Sequence, residues 1–188
     1  MSGILCTKHE ECPEGYICHD GNCEPEPAPE PQKTCTQSDI ENSKNMSAIV
    51  SAVLFGGLSS PMAYQLTNSV FEPLGLTLAD DEGCPSVLGL LVHGAVYTVL
   101  TRVLMDHLSK CEAPSQYNNR DKWVTSAMGG ALFILISSPF MYTITNSLAV
   151  AIAGQGNGIA TTDGCPKVSG LVIHTLVFGG VVRVMMRN

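Results

Sequence analysis

Apolar residues run through this chain in four uncharged stretches that alternate long and short. No charged residue lies between Lys44 and Glu72, and none from Trp123 to Thr162; the shorter stretches Val87 to Thr101 and Val168 to Val182 each stop at an arginine. At about 1.5 Å rise per residue a helix over the first stretch reaches roughly 40 Å, beyond the ~30 Å hydrocarbon core of a bilayer, so it spans with tilt or a kink. A soluble helical bundle is the alternative, but its helices would show charges every turn or two on a wet face. The pattern predicts an all-α integral membrane protein built from two tandem transmembrane helical hairpins, four spans in total, preceded by a small cysteine-rich knob.

The second half restates the first. Ser59-Ser60-Pro61-Met62-Ala63-Tyr64-Gln65-Leu66-Thr67-Asn68-Ser69 returns as Ser137-Ser138-Pro139-Phe140-Met141-Tyr142-Thr143-Ile144-Thr145-Asn146-Ser147. Gly83-Cys84-Pro85, Gly89-Leu90 and His93 return as Gly164-Cys165-Pro166, Gly170-Leu171 and His174, with the offset moving from 78 to 81. Pro61 and Pro139 sit inside the long stretches, where proline removes a donor and opens the preceding turn. Ser59, Ser60, Ser137 and Ser138 are placed to satisfy the freed carbonyls. Ser60, Tyr64 and Asn68 are four apart, as are Ser138, Tyr142 and Asn146, so each set shares one helix face that should meet protein. Gly56-Gly57, Gly129-Gly130, Gly94-Ala95 and Gly179-Gly180 supply small surfaces for close helix approach.

His93 and His174 fall inside the short spans at equivalent positions. A titratable group there serves as a proton relay or ligand, or as a neutral ring bonded to a Ser, Thr or carbonyl of a neighbouring helix; no carboxylate lies within a span to partner it. Arg102 and Arg183, nine residues further on, point away from the histidines and snorkel toward the interface. The loop from Glu72 to Ser86 is acidic, while the basic residues gather with the termini and the connector, which places that side in the cytosol by the positive-inside rule. Met1 to Cys6 is too short for a cleavable signal peptide, and Gly3 is misplaced for myristoylation.

Composition adds a second kind of object at the N-terminus. Cys6, Cys12, Cys18 and Cys23, spaced among turn-forming residues, read as a disulfide-stapled knob, with Cys6–Cys18 and Cys12–Cys23 as the expected pairs. The spacing resembles extracellular cysteine-rich modules related to epidermal growth factor repeats. Zinc, with His9 and His19 available, is the rival, although the short cysteine pairs of zinc knuckles are missing. Glu24-Pro25-Glu26-Pro27-Ala28-Pro29-Glu30-Pro31 favours an extended polyproline spacer of roughly 25 Å. The domain reading is a knob at 1–23, an acidic Pro-rich linker at 24–45, hairpin repeat 1 at 46–108, a connector at 109–122 and hairpin repeat 2 at 123–188. The other cysteines sort by side: Cys35 and Cys111 with the termini, Cys84 and Cys165 on the loops across the membrane. Bridges in a cytosolic knob conflict with a reducing cytosol.

The paired hairpin with Ser-Ser-Pro, Thr-Asn-Ser, Gly-Cys-Pro and the following Gly-Leu-x-x-His resembles small multi-span membrane proteins in the virions of large icosahedral DNA viruses, such as those infecting algae. The resemblance covers about two-thirds of the chain. It implies an internal virion membrane beneath a protein shell, termini on the cytosol-derived, capsid-facing side, and a virus-supplied oxidant that removes the redox conflict. The function expected is structural: anchoring that membrane to overlying capsid proteins through the N-terminal region, with the bilayer and virion proteins as partners and self-association possible in principle. The alternative is a small four-span channel or transporter with His93 and His174 in the pathway. No nucleophile–base pair, phosphate loop or metal constellation is present, so no catalytic residue, cofactor or metal ligand is assigned. The net charge of −7 argues against nucleic acid.

Overall fold

A computed structural model describes residues 12–13, 16–19, 22–25, 36–108, 118–154, 158–161 and 163–186. The chain divides into two compact units, Met1–Thr34 and Cys35–Asn188. In the first, strands β1 (Tyr16–His19) and β2 (Asn22–Pro25) pair antiparallel, with Cys18 opposite Cys23. Cys12 and Cys23 form a disulfide with their Cα atoms 5.6 Å apart, and Cys18 is also disulfide-bonded. Cys6, Cys35, Cys111 and His9 lie outside the described residues, and with Cys6 goes its expected pairing to Cys18.

The second unit is helical: α1 (Gln37–Leu58), α2 (Pro61–Phe71), α3 (Val87–Leu108), α4 (Asn119–Ile136), α5 (Pro139–Ala153) and α6 (Val168–Met185). Helices α3 and α6 are long and apolar enough to cross a membrane, and there are up to four such spans if each bent pair, α1 with α2 and α4 with α5, counts as one. Two boundaries differ from the sequence reading. Helix α1 takes in residues 37–45, assigned above to the linker, because Thr36 and Asp39 form a reciprocal capping box that satisfies two orphan donors at the helix start. Helix α4 likewise starts inside the expected connector, where the Asn118 side chain accepts from Asp121 N at 3.0 Å.

The long stretches are broken, not kinked. After Leu58 the axis turns by 57°, and after Ile136 by 55°. Ser60 and Ser138 cap the new helices, accepting from Ala63 N and Met141 N, with Pro61 and Pro139 in their first turns, where a missing N–H is harmless. The serine pairs bond back to the outgoing helix: Ser59 Oγ donates to Phe55 O (2.6 Å) and Ser60 Oγ to Gly57 O (2.8 Å), matched by Ser137 to Phe133 O and Ser138 to Leu135 O. Each break thus carries its own hydrogen-bond repair.

Across the unit, α1 packs most extensively on α6 and α3 on α4, so each repeat's first helix lies against the other repeat's last. Small residues set these approaches. A Cβ on Gly130 would strike the Thr98 side chain, one on Gly94 the Ile134 side chain, one on Gly56 the Thr175 hydroxyl at 2.9 Å, and one on Gly179 the Ala52 Cβ at 2.9 Å. Gly57 and Gly180 face open space. Between the helices lie four buried rings, Phe55, Phe133, Tyr97 and Phe178. Phe55 stacks on Phe178 (4.5 Å, 18°) and Tyr97 on Phe133 (5.3 Å, 24°), while Phe55–Phe133 and Tyr97–Phe178 meet edge to face. Exchanging the repeats maps this ring set onto itself.

Candidate functional site

Four of the buried polar residues of the helical unit, Ser59, His93, Ser137 and His174, collect at the two breaks, while Ser51 and Ser126 lie within α1 and α4. Breaking α1 after Leu58 removes the N–H that its carbonyl would receive from the next turn, and His93 replaces it: Nδ1 lies 2.7 Å from Leu58 O, and Nε2 lies 2.8 Å from Thr67 Oγ1. The ring stacks on Tyr64 at 4.1 Å and 21°. His174 repeats the arrangement, with Nδ1 2.8 Å from Ile136 O, Nε2 2.8 Å from Thr145 Oγ1, and Tyr142 stacked at 3.9 Å and 8°. A carbonyl only accepts, so Nδ1 carries the proton; each threonine hydroxyl, with one hydrogen, lies within bonding distance of both Nε2 and a carbonyl of its own helix, Ala63 O or Met141 O at 2.9 Å. Each imidazole therefore bridges the end of one helix, the middle of the next and its own helix. This is the bonded-ring reading of the sequence; its threonine and carbonyl partners come from the same repeat.

Asn68 and Asn146, on the predicted face, hold the loops. Asn68 Oδ1 accepts from Leu78 N (2.7 Å) and Ala79 N (3.2 Å), and Asn146 Oδ1 from Ile159 N (2.8 Å) and Ala160 N (3.1 Å). Each loop then closes on itself through the bridges Ala79 to Pro85 and Ala160 to Pro166. Asp80 Oδ1 accepts from Cys84 N at 2.8 Å; in the second repeat Thr161 Oγ1 accepts from Cys165 N at 3.0 Å. Gly83 and Gly164 both adopt φ of +82°, and a Cβ on either would collide with Pro61 or Pro139, so the loop seats on the start of the bent helix only as glycine. Cys84 and Cys165 are joined in a disulfide with Cα atoms 5.3 Å apart, tying the two loops across 81 residues of sequence.

Asp80, Cys84 and Cys165 bring three potential ligand atoms within 4.8 Å of one another, the one such group among the described residues. With the sulfurs bonded to each other, no thiolate is available. Two buried groups stand out in the opposite sense: the Tyr142 hydroxyl has no hydrogen-bond partner and the Tyr64 hydroxyl no well-formed one, only the Ser137 side chain beside it, although each residue is only 1 % exposed.

At the far ends of α3 and α6 the arginines bind polar side chains. Arg102 reaches Asp106 and Asn119, with Lys122 also on Asp106; Arg183 reaches Asn45 and Glu41. Glu41 and Asn119 are repeat equivalents, so the same cross-repeat tether occurs twice. The aromatic cluster and these tethers were missed from sequence; only the matched offsets of Phe55 with Phe133 and Glu41 with Asn119 could have pointed to them. No protein-family model, curated protein or solved structure matches the chain.

Proposed function

We propose that the chain is a structural membrane protein: four crossings anchor it in the internal membrane of a virion, and its cysteine-rich N-terminal unit binds overlying capsid proteins. The observation that carries this reading is the Cys84–Cys165 bridge. Transporters built from repeated halves work by moving one half against the other, and a covalent tie between the loops opposes that motion on their side. The histidines support the same view, since both nitrogens of each ring are engaged in holding a helix break together. The uncharged helices favour lipid as solvent, and the clustering of basic residues favours termini on the cytosol-derived, capsid-facing side. Bridges in the N-terminal unit on that side then require an oxidant supplied with the particle.

Protease treatment of purified particles, before and after the capsid is opened, tests the proposal. Antibody against residues 1–23 should find that region protected in closed particles and cleaved once the shell is removed while the membrane is intact. Absence of the chain from purified particles sinks the virion reading. The buried, unpartnered Tyr142 hydroxyl favours one second reading, a small channel with His93 and His174 in its pathway. Its signature is a pH-dependent conductance in reconstituted vesicles, abolished by His93→Gln or His174→Gln.

A further inference from the structure

Helices α2 and α5 each leave one apolar stripe uncovered, at matching positions. In α2 and the turn after it the stripe is Met62, Leu66, Val70 and Leu74, exposed by 80, 69, 63 and 72 %. In α5 it is Phe140, Ile144, Leu148 and Ile152, exposed by 70, 46, 60 and 78 %. Residues four apart lie one above another on a helix, so each set is a continuous ridge. The opposite face packs on the protein itself: Tyr64 stacks on His93, Thr67 bonds His93 and Asn68 bonds the loop, while Gln65, exposed at its edge, donates through Nε2 to Asp81 O at 3.1 Å. Amphipathic helices that lie on a membrane normally turn a charged face to water. These two carry no charge: the loop covers Asn68 and Asn146, and the exposed Ser69, Thr143 and Ser147 bond to carbonyls of their own helix.

Length identifies what covers the ridges. The uncharged part of α1 from Met46 to Leu58 rises only about 20 Å, and that of α4 from Trp123 to Ile136 about 21 Å, against a hydrocarbon core of ~30 Å. With α1 and α4 near the membrane normal, bends of 57° and 55° let α2 rise a further ~9 Å and α5 ~13 Å. Those increments make up the missing thickness. The ridges also continue the exposed apolar surface of Ile49 and Val53 on α1 and of Met128 and Leu135 on α4.

We propose that α2 and α5 are oblique, lipid-facing half-spans, both lying in the leaflet on the loop side, with their ridges in contact with acyl chains and their polar faces sealed by the loops. The proposal rests on the membrane reading above. Because the two repeats run in the same direction, both half-spans enter one leaflet and have no counterpart in the other. The protein thus displaces acyl chains asymmetrically.

The test uses the single tryptophan of the chain, Trp123. In a Trp123→Phe background, tryptophan is placed singly at Met62, Leu66, Val70, Phe140, Ile144, Leu148 or Ile152, and the full-length protein is reconstituted in phosphatidylcholine vesicles brominated either near the headgroup or near the chain end. Quenching should pass from deep to shallow bromines along each helix, with an apparent depth change of about 10 Å between positions 140 and 152. Equal depth along a helix overturns the oblique placement. Loss of all lipid quenching on the ridges, while Val99→Trp and Val177→Trp remain quenched, shows a protein cover and overturns the lipid assignment. If Val99→Trp and Val177→Trp are also unquenched, the membrane reading itself fails.

Discussion

A histidine within an apolar helix invites a proton-handling role, yet the chemistry around His93 and His174 is that of backbone repair. Each ring supplies a donor to the carbonyl that the helix break has stripped. His93→Ala should therefore leave Leu58 O unsatisfied at a cost of about 1–3 kcal/mol, read as a lower midpoint of thermal unfolding in detergent. His93→Gln, which can still donate and accept, should lose less; identical melting of the two variants and the parent chain would remove the repair role. Glycines give a second contrast. Gly83→Ala places a side chain at φ of +82° against Pro61, costing about 1–2 kcal/mol before the collision is counted. Gly57→Ala meets nothing within 4 Å and should be neutral or gain up to about 1 kcal/mol in helix propensity. Measured unfolding midpoints that rank Gly83→Ala above Gly57→Ala contradict the loop seating described here.

Among the elements, the places where the long stretches bend and the repeated polar face could be read directly, since proline, its flanking serines and the four-residue spacing of Ser60, Tyr64 and Asn68 act within a few residues of each other; that each bend is a full break and not a kink could not. The direction of the bends could not. A proline announces a lost hydrogen bond, but the 57° turn is held by His93 and the returning loop, which are distant from it in sequence. Helix partners were half hidden: α3 packs on its chain neighbour α4, as neighbours usually do, whereas α1 packs on α6 at the other end of the unit, where Gly56 and Gly179 admit the larger Thr175 and Ala52. The cysteines were half legible. Topology put Cys84 and Cys165 on one side, and only the folded loops bring them together. With a protease site inserted in the connector, the cleaved chain should migrate as one species without reductant and as two halves with it; separation without reductant would refute the bridge. Cys84→Ser should lower stability by about 3–5 kcal/mol, as expected for so long a closed loop.

For the whole molecule, apolar helices that expose Val53, Leu91, Val99, Leu176 and Val177 should hold the chain in the membrane fraction through alkaline carbonate and release it only with detergent. Recovery in the carbonate supernatant would contradict the four-span reading. The two interfaces between repeats carry a further consequence. Gly56 and Ile134 occupy equivalent positions, as do Gly94 and Thr175, and small meets large in opposite order: Gly56 against Thr175, Ile134 against Gly94. Paired with a copy of itself, repeat 1 would set glycine against glycine and leave a hole, and repeat 2 would force isoleucine onto threonine. At these positions each half is thus matched to its sister and mismatched to a second copy of itself. Expressed as separate tagged fragments in one membrane, the halves should therefore pair one with the other in preference to themselves, and equal recovery of like and unlike pairs on co-purification would show that the mismatch is tolerated.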